Sequence, residues 1–255
     1  KLFMAGILPG LMEAALLIIV VVFLVRRNDY GNKVEKADWG LFRRRLPKAS
    51  AALAMPVFVI GSIYAGLLTP TEAAAFSAVY ALFLVLLVYR TVNLPAFWAV
   101  ARESLLQTTM IFAVVMGGSR IGFVMARMGV SAQLVSLISD TNMSPWVFLL
   151  VVNVLLLLLG MFLDGISLIV LTAPLLFPMA TALGIDPIHF SVIMVANVEI
   201  ATLTPPIGLN LFVMSGIARI PVHEVARGVL PFFAVRMTGL MLITYVPAIS
   251  LALVR

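Results

Sequence analysis

The chain has 255 residues, 63% of them hydrophobic and 11% charged, with a mean hydropathy of +1.15, against about 45–50% apolar and about 25% charged in an ordinary soluble domain. That excludes a secreted enzyme, a nucleic-acid reader and a disordered adaptor, and leaves an all-α polytopic membrane protein with room for about eight spans of ~20 residues. The excess of 17 Lys+Arg over 11 Asp+Glu then bears on orientation, through basic cytoplasmic loops, and not on nucleic acid.

The first predicted span runs over 8–25 and stops at Arg26-Arg27. No small-residue cleavage site follows it, and the chain opens on Lys1, so the natural N-terminus is expected upstream. Residues 26–50 carry eight basic residues against three acids, which predicts a cytoplasmic segment. Trp39, Leu41, Phe42 and Leu46 among its arginines suit either an interfacial helix with cations toward anionic lipid or a solvated loop. Spans two and three, 51–67 and 72–89, meet at Leu68-Thr69-Pro70-Thr71-Glu72, where Pro70 ends one helix and Thr69 or Thr71 with Glu72 caps the next. A short amphipathic piece between Arg90 and Arg102 precedes a fourth span, 105–127, holding Gly117-Gly118-Ser119-Arg120. A weakly amphipathic segment then ends at Asp140-Thr141-Asn142.

From 144 to 183 a single charge, Asp164, stands near the midpoint beside Gly165. Two full spans would make this pair a surface turn; a re-entrant hairpin would make Asp164 an intramembrane carboxylate. The next apolar run, 188–218, is too long for one straight span, since about 31 residues at ~1.5 Å each exceed a ~30 Å core. Its centre reads Thr202-Leu203-Thr204-Pro205-Pro206-Ile207-Gly208. Each proline lacks an N–H and displaces the carbonyl four residues earlier, so the carbonyls of Ala201 and Thr202 are expected to be freed. Broken backbone at this depth survives beside protein or water, where it can supply carbonyls to a cation, or it is a simple kink repaired by Thr202, Thr204 and Asn210. Glu199 in the same run is expected to bind a cation, cap the second half-helix, or pair with Arg120 or Arg236. His189 and His223 are read as interfacial, and neither has a second histidine at metal spacing. A basic piece, 219–227, and a last span, 229–252, complete the chain. With no cysteine, disulfides and thiolate metal sites are excluded.

Four motifs in order, Gly66-Leu67-Leu68-Thr69-Pro70-Thr71-Glu72-Ala73-Ala74-Ala75, Gly160-Met161-Phe162-Leu163-Asp164-Gly165, Gly184-Ile185-Asp186-Pro187-Ile188-His189-Phe190 and Leu203-Thr204-Pro205-Pro206-Ile207-Gly208-Leu209-Asn210, closely resemble the C-terminal part of the large membrane subunit (M subunit) of TRAP, tripartite ATP-independent periplasmic, transporters. Arg236 and Ser62 depart from the usual pattern. The resemblance implies an ion-transporter-superfamily, elevator-type fold in the bacterial inner membrane, with the second of two inverted repeats present here. Residues 1–143 would be mainly scaffold, 144–218 part of the transport domain (hairpin 144–183, broken helix 188–218), and 219–255 an interfacial segment and last span. It further implies Na⁺ as coupling ion, held near Asp164, Gly165, Ala201, Thr202, Thr204 and Pro205. Ser167, Pro206, Gly208 and Asn210 would be substrate or gate positions. The implied partners are a small TRAP membrane subunit, a periplasmic solute-binding protein, an organic acid anion and membrane lipid. A protein limited to residues 1 to 255, with one repeat, is expected to give no sodium-driven uptake.

Two other functions compete with a sodium-coupled transporter subunit, neither of which the residues favour. An aspartyl intramembrane protease needs two facing aspartates, and Asp140 and Asp186 fall in turns. A non-transporting scaffold could use every polar residue as a structural pair. For topology, 26–50, 90–102 and 219–227 are expected in the cytoplasm and 68–72, 140–143, 184–188 and Arg255 outside. Single-cysteine labelling checks this, since an impermeant reagent reacting from outside at position 36 would reverse the scheme.

Overall fold

The computed structural model of the chain describes residues 1–28, 38–206 and 208–254, except the side chains of Asn28, Lys48, Ser139 and Leu209. Part of the expected basic segment (29–37), Ile207 of the proline break and Arg255 thus lie outside the described residues. What is described is helical throughout: α1 (Leu2–Ala5), α2 (Ile7–Asn28), α3 (Trp39–Tyr64), α4 (Pro70–Phe83), α5 (Leu94–Arg127), α6 (Val130–Asp140), α7 (Pro145–Gly160), α8 (Gly165–Ala182), α9 (Pro187–Ala201), α10 (Leu209–Ala218), α11 (Val222–Tyr245) and α12 (Pro247–Leu251). One π-helical turn, Leu84–Val88, extends α4. Five stretches are long and apolar enough to cross a bilayer: Leu2–Arg27, Pro70–Val88, Leu94–Arg127, Gly165–Ala182 and Val222–Tyr245. The described residues thus make an all-α, multi-pass membrane protein.

Two compact units form, Gly31–Thr109 on one hand and Lys1–Tyr30 with Met110–Arg255 on the other. The unit that holds α7 to α10 also takes in α2 and α6. The reason lies in packing, since α2 lies along α11 and α6 along α8.

In the smaller unit α3 packs on α4. Between them Gly66 takes φ 71°, a left-handed conformation open to glycine that closes helix ends. Of the two candidate caps the structure selects Thr69. Its hydroxyl accepts from the Glu72 N–H at 3.3 Å while the Glu72 carboxylate accepts from the Thr69 N–H at 2.8 Å, with Pro70 at the first helical position where no N–H is needed. Ser62 is buried and donates to the Val59 carbonyl. The expected amphipathic piece and span over 51–67 are joined as one helix, with a 66° bend between Trp39–Pro47 and Ala49–Tyr64, where Pro47 removes a backbone donor.

In the larger unit α7, α8, α9 and α11 surround a core of Leu149, Val152, Leu156, Leu168, Phe190, Ile193, Ile200 and Leu240. Asp164 caps α8 and Asp186 caps α9, each accepting two backbone N–H groups, while Gly184 at φ 75° ends α8. The last span has the expected length but lies seven residues earlier: α11 starts at Val222, taking in the end of the basic piece, and stops at Tyr245, just before Pro247. The arginine-flanked piece after Arg90 is likewise not separate; α5 runs unbroken for 34 residues. Gly118 and Gly122, four apart on α5, bring that helix against Val170 and Pro174 of α8. A Cβ on Gly118 would overlap the Val170 side chain, and one on Gly122 would stand 3.3 Å from Pro174. This is close helix approach through small residues.

Candidate functional site

The break in the 188–218 run is present where the proline pair falls, with α9 ending at Ala201 and α10 starting at Leu209. Gly208 sits at φ 43°, buried, where a Cβ would lie 2.9 Å from Leu211 and 3.0 Å from the Thr204 carbonyl. Only a residue without a side chain fits both the left-handed backbone and that space. The carbonyls expected to be bare are each bonded once. Ala201 C=O accepts from the Thr204 N–H at 3.0 Å, and Thr202 C=O from the Asn210 N–H at 3.2 Å. The chain folds back over the gap and the second half-helix caps the first. A carbonyl has two lone pairs, so each oxygen keeps one.

The side chains reinforce this closure. Thr202 Oγ1 donates to the Glu199 carbonyl at 2.8 Å and accepts from Asn210 Nδ2 at 3.0 Å. Thr204 Oγ1 donates to the Ile200 carbonyl at 3.0 Å. As donors both hydroxyls turn unused lone pairs away from the backbone. Pro205 and Pro206 are exposed and joined by a cis bond. The donor set is thus four neutral oxygens within a few residues, which suits a hard monovalent cation better than a transition metal.

The tip between α7 and α8 lies against this break. A Cβ on Gly160 would overlap the Ala201 methyl, and one on Gly165 would come within 2.6 Å of Val198 Cγ1. Two glycines of one motif therefore set the distance between tip and broken helix. Asp164 is exposed and committed to its own helix: its carboxylate accepts from the Ile166 and Ser167 N–H groups, both at 3.1 Å, and from the Ser167 hydroxyl. With the carboxylate held by this cap, the groups the tip has free to offer are its backbone carbonyls. The family resemblance implies a substrate or gate position for Ser167; here its hydroxyl serves the cap.

Glu199 pairs with Arg236 and not with Arg120. The Arg236 Nη2 group lies 2.7 Å from Glu199 and 2.7 Å from Glu13, with side-chain exposures of 10% for Arg236, 12% for Glu13 and 57% for Glu199. Arg120 is exposed and has no ion pair among the described residues. Sequence reasoning did not join Glu13 to this group, because 223 residues separate it from Arg236.

Also unanticipated is a buried amide cluster. Asn197 on α9 donates to Asn153 on α7 at 2.7 Å, and Asn153 donates to Thr244 on α11 at 2.9 Å; all three are 0% exposed. The signal was available: each asparagine interrupts an otherwise apolar helix, where a bilayer or a core demands a partner. Asn153→Leu is expected to cost about 1–2 kcal/mol, because Asn197 Nδ2 keeps only the Ile193 carbonyl as acceptor and Thr244 loses its amide donor, readable in denaturant unfolding of the purified protein. An unchanged midpoint would mean the cluster is dispensable. His189 is 2% exposed, packed by the α8–α9 turn under α12, a burial that the sequence did not indicate; His223 is exposed.

Comparison with known proteins bears on this arrangement. The family described as "Tripartite ATP-independent periplasmic transporter, DctM component" matches residues 1–249. The chain belongs to the DctM family. It is 39% identical over 255 residues to the C4-dicarboxylate TRAP transporter large permease protein DctM of Pseudomonas aeruginosa, covering 99% of this chain and 59% of the relative. To the protein of the same description in Rhodobacter capsulatus it is 41% identical, covering 99% and 57%. To the sialic acid TRAP transporter large permease protein SiaM of Vibrio cholerae it is 38% identical, covering 99% and 59%. The chain thus spans somewhat over half the length of these relatives. All three relatives are named as large permease proteins.

Proposed function

We propose that this chain is the C-terminal part of the large permease of a TRAP transporter, which imports an organic acid anion presented by a periplasmic solute-binding protein and works with a small membrane subunit. Sodium is the coupling ion, and it binds where the α7–α8 tip meets the α9–α10 break. The observation that carries this reading is the seating of the tip glycines Gly160 and Gly165 on Ala201 and Val198, directly beside the oxygens of Thr202 and Thr204.

The donor set fits such an ion. Ala201 and Thr202 carbonyls each keep a lone pair, the Thr204 hydroxyl keeps its own, and the tip adds carbonyls around Met161 to Leu163. Bound there, a cation would draw tip and break together. The first turn of α10 would then meet an anionic solute with its positive end, close to Pro206, Gly208 and Asn210. At 16 residues α7 measures about 24 Å and falls short of a ~30 Å core, which supports a re-entrant hairpin. The carriage of this hairpin and broken helix as one body, with Gly31–Thr109 as static support, is the elevator form of the proposal.

The test is sodium-gradient uptake in proteoliposomes, using the complete membrane complex, its binding protein and a panel of organic acids that includes a C4-dicarboxylate and sialic acid. Thr204→Val removes one oxygen at nearly constant volume and is expected to raise the sodium concentration for half-maximal uptake about tenfold, the equivalent of ~1.4 kcal/mol. Asp164→Asn keeps the cap but removes the charge, and is expected to shift the same quantity in the same direction. Unchanged sodium dependence in both variants would move the ion site elsewhere and reduce the proline pair to a kink.

A further inference from the structure

One guanidinium serves two carboxylates where α2, α9 and α11 meet, and the two contacts are unequal. Arg236 Nη2 donates to Glu13 Oε2 at 2.7 Å, with side-chain exposures of only 10% and 12%. Glu199 Oε2 lies at the same 2.7 Å, but its side chain is 57% exposed. Burial strengthens the first pair and water weakens the second. The Arg236 charge is therefore answered chiefly by Glu13. With both carboxylates ionised, the group keeps one net negative charge, and it resides on Glu199.

That charge stands on the last turn of α9, where the proposed ion donors begin. Glu199 and Thr202 are neighbours three apart on one helix face, and the Thr202 hydroxyl donates to the Glu199 carbonyl at 2.8 Å. Val198 is the seat of Gly165 and Ala201 that of Gly160. The same turn thus carries the tip contacts, the Glu199 carboxylate and the carbonyls of Ala201 and Thr202.

The donors at the break are all neutral. A sodium ion that leaves water for neutral oxygens gives up hydration which dipoles alone replace incompletely, and a fixed anion within about 10 Å offsets part of that cost. Asp164 brings a charge at the tip, but it accepts from the Ile166 and Ser167 N–H groups, so the positive end of α8 already offsets part of it. Glu199 has only Arg236 against it, and Arg236 is held by Glu13. We infer that Glu199 is the counter-charge of the bound sodium ion, attracting the ion without touching it, and that Glu13 engages Arg236 so that this charge is not cancelled. The inference rests on the ion site proposed above and assigns to it a positioning residue, Glu13, and a charge outside the donor set. Glu13 touches none of the donors, yet without it Arg236 turns wholly to Glu199.

The experiment is equilibrium binding of radioactive sodium to the purified complete membrane complex, at low and high ionic strength set with choline chloride. Glu199→Gln is expected to weaken sodium binding about tenfold, the size of one charge acting over ~8 Å of half-wet protein. Its unfolding midpoint should stay close to that of the wild type, since an exposed contact contributes little. Glu199→Asp keeps the charge on a shorter arm, which lengthens the contact with Arg236, and is expected to bind sodium nearly as the wild type does. Glu13→Gln should weaken binding in the same direction as Glu199→Gln. Because the attraction crosses a partly wet gap, choline chloride should weaken binding in the wild type more than in Glu199→Gln. A merely structural ion pair would suffer alike in Glu199→Asp and Glu199→Gln, so equal weakening by both overturns the inference. So does undiminished binding in Glu199→Gln beside weakened binding in Thr204→Val, a result that would leave the ion site in place and remove only its counter-charge. Undiminished binding in both variants would overturn the ion site and this inference together.

Discussion

Arg236→Met is expected to destabilise the protein by about 3–5 kcal/mol, the range for breaking a buried pair by removing one partner. The guanidinium is the sole positive charge touching Glu13 and Glu199 among the described residues, and without it two carboxylates face each other with nothing between. The loss falls on Glu13, whose side chain is 12% exposed and whose Oε1 has no partner among the described residues. Glu199 is 57% exposed, so Glu199→Gln, which breaks only the wetter contact, is expected to cost about 0–1 kcal/mol. Denaturant unfolding of the purified permease separates the two. In the double variant with Glu13→Gln, much of the Arg236→Met loss should return, because the buried charge left unpaired is gone. A loss below that of Glu199→Gln would show that the triad is not what ties α2 and α11 to α9.

Gly160→Ala adds a single methyl, yet it is expected to uncouple the hairpin tip from the broken helix. The new Cβ would overlap that of Ala201. Both are fixed directly to helix backbones, so neither can rotate away and the helices must separate. Overpacking of this kind costs about 1–3 kcal/mol, and with the proposed ion site in the gap, the sodium requirement of uptake is expected to rise about tenfold. Ala201→Gly in the same chain removes the opposing methyl without touching the carbonyl and is expected to restore both quantities. Gly216→Ala serves as the control: the added methyl meets nothing within 4 Å and alanine is the better helix former, so stability should hold or rise. Should Gly160→Ala behave like Gly216→Ala, the tip does not gate the break.

The sequence alone determined the membrane class, the turns at Thr69-Pro70-Thr71-Glu72 and Asp164-Gly165 and the break at Pro205-Pro206. Each rests on signals a few residues long: an apolar run measured against the bilayer, a cap beside a proline, a missing N–H. Local chemistry of that range survives whatever the rest of the chain does. Tertiary structure decided everything that depends on which segments meet. The Ala201 carbonyl is not bare because the turn brings the Thr204 N–H to it, nor the Thr202 carbonyl because α10 doubles back with Asn210, and a proline pattern shows the lost donor but not its replacement. Asp164 caps its own helix, a choice set by the turn geometry at 164–167. Glu199 takes Arg236 over Arg120 because α11 lies beside α9 and α2, and Glu13 joins from 223 residues away. His189 is buried because α12 folds over the α8–α9 turn, and Asn153, Asn197 and Thr244 meet because α7, α9 and α11 share one core. A hydrophobic run demands a partner for each polar group it contains, but only packing among distant helices chooses that partner.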